Sequence, residues 1–359
     1  MGLVAVVFLG IWIPQTITIF QGDAIDSPPR SFPKRCRQDY RTLMYSEAML
    51  SPPERLLPFA KKIISSILKE EGVIDVTAEG VLAVPLPDLE NKDDKFRSGL
   101  AYLYTKCGDY LFALGEIEDA EHAYNIALKC SSLLNPHTAA ACRGLSALLW
   151  SREDPDIPGA IKYAQAAVTA AGSLEFLLQH SEDLVSLDAA ATFADEMLAS
   201  KGLIISNREF LSAEIELGAL YAKAGEKEKG LTTLLRALKT LYDTEEASIE
   251  GKNARNQAEQ VFRATTGDEA KAKFYISEVL LSLKLEQEAY DWAQMAFEAA
   301  MPSHEINRDS AEIARMSMMI MARVSKNMGN IEDAKRCEAQ VQKIPEPIIK
   351  PLICFGWRV

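Results

Sequence analysis

The sequence predicts an all-α chain: stacked helical hairpins preceded by one membrane-spanning helix. Two observations lead to the hairpins. Gly108, Leu111, Gly115, Ala120, Tyr124 and Ala127 fall where two antiparallel helices need small or bulky residues to pack together, and Tyr104 adds a bulky residue one turn earlier. The pattern returns 110 residues on as Gly218, Tyr221, Gly225, Gly230, Leu234 and Ala237, with Leu217 just before it. A third observation gives the span. Residues 2–22 carry no charge, and Leu3 to Ile13 is unbroken apolar sequence.

Residues 2–20 read as a transmembrane anchor, since about twenty residues of helix cross the roughly 30 Å hydrocarbon core. A cleaved secretory signal fits less well: no Lys or Arg precedes the run, and Gly22-Asp23-Ala24 matches a cleavage site poorly. A buried core helix is the third reading. Arg30, Lys34, Arg35, Arg37 and Arg41 follow the span, which by the positive-inside rule holds the carboxyl side on the cytosolic face of a secretory-pathway membrane. Residues 21–50 form a linker, extended at Ser27-Pro28-Pro29 and Pro33, and then a first helix.

Residues 51–94 supply an N-terminal helix and a loop. Ser51-Pro52-Pro53-Glu54 combines a capping box with a proline at the first helical position, and the helix runs to about Glu71. Leu56, Leu57, Phe59, Ala60, Ile63, Ile64, Ile67 and Leu68 form its broad apolar stripe. A proline-containing loop follows from Val76 to Asp94, with a short extended piece at Val81 to Val84. Residues 95–343 read as helix pairs. The small residue near the start of each second helix runs Ala120, Ala160, Gly230, Ala289, Ala334, with a degenerate unit around Ala190 to Ala199. Pro155 and Pro158 lengthen the second hairpin, and residues 265–268 break the stretch before the fifth. In the tail, residues 344–359, three prolines cannot continue a helix. The tail's apolar end, Ile353 to Trp357, caps the last repeat or docks on a partner.

Composition excludes several functions. At 48% hydrophobic and 25% charged the chain is globular rather than disordered. A net charge of −12 argues against nucleic acid. The six cysteines form no CxxC pair, and Cys107 and Cys142 read as plain buried thiols. The four histidines are scattered, and there is no HExxH, GxSxG or phosphate-binding loop. Ser66 and Lys69 have SxxK spacing but no partner motif. No catalytic residue, metal ligand or cofactor is nominated, and the expectation is a non-enzyme.

On these residues the chain resembles the tetratricopeptide repeat (TPR) family, most strongly at 101–132 and 211–242, clearly at 315–342, and more weakly at 270–300 and 138–171. The resemblance implies a helical solenoid that binds other proteins, as peptide segments or a membrane complex, with the first helix of each hairpin lining a groove. It puts Tyr102, Thr105, Asp109 and Phe112 in the groove of the first unit. Phe274 and Glu278 take those places in the fifth, and Met316, Met319 and Arg323 in the last. Met316, Met318, Met319 and Met321 suit either core or an adaptable groove. Thr105, Asp109, Thr138 and Cys142 stand where the family's chaperone-binding members carry basic and amide residues, so a chaperone-tail clamp is not expected. One anchor before a lone repeat array is similar to the TPR adaptors of the mitochondrial inner membrane, including one that hands substrates to a membrane protease. A mitochondrial membrane is therefore the expected location. An outer-membrane import-receptor layout and a soluble scaffold are the alternatives.

Overall fold

The computed structural model describes residues 28–48, 51–73, 76–131, 136–172, 186–199, 208–250, 255–304 and 308–344. The expected anchor at 2–20 and the tail beyond Ile344 lie outside them. Among the described residues no helix is long and apolar enough to cross a membrane. All their regular structure is helical, and the chain divides into two compact units, Met1–Ser132 and Leu133–Val359.

The first unit holds α1 (Lys34–Ala48), α2 (Pro53–Glu70), α3 (Asp94–Leu114) and α4 (Ile117–Cys130). The expected Ser51 cap is replaced by Pro52, which makes no side-chain cap bond; proline at the first turn fixes φ where the helix needs it. Nor is the stretch around Pro29 a free linker. Pro28, Pro29 and Phe32 are buried, and Phe32 meets Phe96 edge-on at 5.3 Å. Pro29 fits only because Gly99 has no side chain: a Cβ there would lie 2.5 Å from its Cγ. Residues 81–84 form turns rather than an extended piece, pinned where Tyr104 Oη donates to Val81 O at 3.2 Å.

The second unit holds α5 (Pro136–Ser151), α6 (Ile157–Ala170), α7 (Leu187–Ala199), α8 (Arg208–Lys223), α9 (Lys227–Glu250), α10 (Arg255–Ser282) and α11 (Glu286–Ala300). A short turn, Met301–Ser303, then leads to α12 (Arg308–Asn327) and α13 (Ile331–Val341). Four hairpins follow in order: α5–α6, α8–α9, α10–α11 and α12–α13. The helix α7 fills the interval of the degenerate unit, packing on α6, where Thr169 Oγ1 donates to Ala190 O at 2.7 Å. The expected break at 265–268 is absent and α10 runs straight through. One glycine costs a helix about 1 kcal/mol, while Asp268, Ala270 and Ala272 are buried along it.

One packing rule builds every hairpin. Ala120, Ala160, Gly230, Ala289 and Ala334 are each the fourth residue of a second helix, and all five are buried. Ala190 holds the same place in α7. On the first helix Gly108, Ser146 and Gly218 face the second helix, and Ser277 and Ala322 stand at the matching spacing before Ala289 and Ala334. A Cβ on Gly108 would lie 2.6 Å from the Tyr124 ring, and one on Gly218 2.8 Å from Leu234 Cγ. Ser146 uses its hydroxyl instead, donating to Ala160 O at 2.8 Å.

Three hairpin turns close on a left-handed glycine: Gly115, Gly225 and Gly329. At the same place in the α10–α11 turn stands Lys284, with φ +63°. A β-carbon is disfavoured there by roughly 1 kcal/mol. Lys284→Gly is therefore expected to stabilise the second unit by about 0.5–1 kcal/mol, read as a higher urea midpoint at unchanged slope.

Candidate protein-binding face

In the first unit the expected groove is filled by the chain itself. Tyr102 is buried with its ring 5.3 Å from Tyr40 of α1, and its hydroxyl donates to Glu47 Oε2 at 3.3 Å. Lys106 Nζ bonds Glu47 at 2.6 Å and lies 5.5 Å from the Tyr102 ring centroid. Thr105 is buried and donates to Ala101 O. Asp109 accepts from Tyr124 Oη at 2.9 Å, so it holds the hairpin's bulky residue in place. Phe112 is half-buried. The helix α1 thus lies where a ligand was expected to lie.

In the second unit the first helices α5, α8 and α10 are joined by a charge cluster. Glu216 on α8 is 1% exposed. Arg143 on α5 grips it with two hydrogen bonds, Nε at 2.9 Å and Nη2 at 2.8 Å, and Lys271 on α10 adds a third at 2.9 Å. Arg143 also reaches Glu209 at 2.5 Å. Burial pushes the Glu216 carboxyl up, but Arg143 and Lys271 outweigh it and hold it down at about 2. Two residues earlier, Glu214 is equally buried and turned toward α9, where Arg236 Nε donates to it at 2.6 Å. There burial prevails over the arginine and the carboxyl is raised.

Sequence reasoning did not find this cluster, although its two basic members sit at groove offsets. Arg143 precedes the small residue Ser146 by three positions, as Thr105 precedes Gly108. The longer α5–α6 connection displaced that count. Lys271 precedes Ser277 by six, as Tyr102 precedes Gly108.

Beyond the cluster the face opens at its last hairpin. Phe274 on α10 is covered, at 3% exposure, and does not line an open groove. Glu278 and Met316 are half-buried. Met319, at the offset of Phe274, is 51% exposed, and Arg323 stands exposed one turn further on. The four methionines divide between both expected roles, since Met318 and Met321 are in the core.

The described cysteines, Cys36, Cys107, Cys130, Cys142 and Cys337, are all buried free thiols. Burial pushes Cys107, Cys130 and Cys142 up to about 12. Among the described residues no group of three or more His, Cys, Asp or Glu could hold a metal ion.

Among the described residues the chain is an all-α protein of sequential helix pairs. No protein-family model and no curated protein matches the chain. Among solved structures it is similar to BtubC (BKLC) from P. vanneervenii, with 16% identity, coverage of 71% of this chain and 86% of that one, and a TM-score of 0.40.

Proposed function

We propose that the chain is a protein-binding scaffold whose ligand face is the α12 end of the second unit. The observation that carries this reading is the exposure of Met319, an apolar side chain at an offset that is covered one hairpin earlier. With Arg323 one turn away it offers an apolar anchor beside a cation, which suits a peptide carrying an apolar side chain next to a carboxylate. The uncharged run at 2–20 and the basic residues after it support a scaffold held at a membrane. The anchor-plus-repeat layout supports a mitochondrial one that presents substrates to an inner-membrane protease.

Proximity labelling from the full-length protein in intact cells, followed by recovery of the labelled partner, tests the face. Met319→Asp with Arg323→Glu is expected to weaken recovery tenfold or more, about 1.4 kcal/mol, without moving the melting temperature. Unchanged recovery places the ligand elsewhere. Carbonate extraction of the same samples tests the anchor: release of the full chain into the soluble fraction rejects it.

A further inference from the structure

The turn edge of the last two hairpins of the second unit carries an apolar ridge. Leu283 and Leu285 flank Lys284 in the α10–α11 turn and are 38% and 42% exposed. Met328 and Ile331, in the α12–α13 turn, are 50% and 52% exposed. Asn327 Nδ2 donates to Glu286 Oε1 at 2.9 Å, so the two turns abut and the four side chains share one edge. The preceding turn, which Lys227 Nζ ties to Ser282 O, is Ala-Gly-Glu-Lys over residues 224–227 and adds no large apolar group.

The face that a further repeat would cover is, by contrast, already polar. Lys335, Glu338 and Ala339 are exposed along α13 and Gln342 just past its end, as on a terminal repeat. An apolar tail segment has little to gain there. We propose that residues 352–357 of this chain, LICFGW, dock on the ridge formed by Leu283, Leu285, Met328 and Ile331.

Chain length and charge favour this occupant. The ridge lies at the amino-terminal end of α13, and the described chain stops at Ile344, just past the other end. Eleven helical residues span about 16 Å. The eight steps from Ile344 to Leu352, at about 3.1 Å each in the extended form that Pro345, Pro347 and Pro351 favour, reach about 25 Å. Lys350 and Arg358 bracket the apolar six, and the exposed carboxylates Glu288 and Glu332 stand on the first turns of α11 and α13 beside the ridge. A tethered segment also acts at an effective concentration in the millimolar range. Two copies of a chain with net charge −12 repel one another. The ridge shares no residue with the Met319 face.

Hydrogen exchange on the full-length chain tests it, comparing the natural tail with a Phe355→Asp, Trp357→Asp variant. Amides of residues 283–286 and 328–331 are expected to exchange at least fivefold faster in the variant, with the α8–α9 hairpin unchanged. A synthetic peptide of residues 348–359, added to the variant, is expected to restore protection. Further replacement of Leu285 and Ile331 by Glu is expected to abolish that rescue. Unchanged exchange at the edge overturns the proposal. So does a change confined to the outer face of α13, rescue that survives the glutamates, or protection that grows with protein concentration, the mark of a second copy.

Discussion

Glu216→Gln lowers the stability of the second unit by about 3–5 kcal/mol, because it leaves Arg143 and Lys271 buried without their shared counter-charge. Amide exchange within α8, followed in the full-length protein, reads the loss for this unit alone. A loss below about 1 kcal/mol would mean that water replaces the carboxylate. Acid has the same target. A carboxyl held at about 2 in the folded chain, against an ordinary value near 4.3, contributes stability that is complete above the ordinary value. That stability drains away as pH falls from there to about 2. Glu214 works with the opposite sign, since its raised carboxyl favours folding as it takes up a proton. Its change is finished by the ordinary carboxyl value, so below that value the natural protein loses stability through Glu216 and the Gln variant lacks this part of the slope.

Gly230→Leu and Gly218→Leu are each expected to cost about 2–4 kcal/mol, with Gly230 the worse. At Gly218 the intruding Cβ meets Leu234, a side chain that can shift by a rotamer. At Gly230 it would lie 2.7 Å from both Ala222 N and Gly218 O, which are backbone atoms held in a helix. Lys335→Ala, on the polar face of α13, should stay within about 0.5 kcal/mol. His122, although exposed, does not serve as a second neutral site, because its Nε2 lies 2.7 Å from Leu82 O in the loop between α2 and α3. Thermal or urea melts of the four proteins decide the matter. Equal losses at Gly230 and Lys335 would show that the hairpin register is wrong.

The hairpins were legible because their packing rests on small residues at fixed places. Ala120, Gly230 and Ala334 mark helix starts through size alone, and Ala190 marks one even where the rest of its unit has faded. What was not legible depended on partners distant in sequence. Residues 265–268 look like a break, yet Asp268 accepts from Ser212 across the α8–α10 interface at 3.1 Å, and the helix persists. Tyr102 carries a groove residue's offset, but nothing local to it announces that α1 lies over its ring. Arg143 and Glu216 are 73 positions apart and meet only after α5, α6 and α8 have stacked. Pairing of that kind is a property of the fold rather than of any window of sequence.

The buried thiols have a practical side. A sulfhydryl that ionises only near pH 12 presents about one thiolate in 10⁵ molecules at neutral pH, and maleimides and iodoacetamides attack the thiolate. Cys107, Cys130 and Cys142 therefore stay silent toward such reagents while the protein is folded. With Cys354, outside the described residues, changed to serine, a cysteine introduced on the surface at Lys335 or Arg323 becomes the preferred site for a dye or cross-linker. The Cys354→Ser protein is thus close to a cysteine-light background for fluorescence and cross-linking, and reaction of its buried thiols reports unfolding.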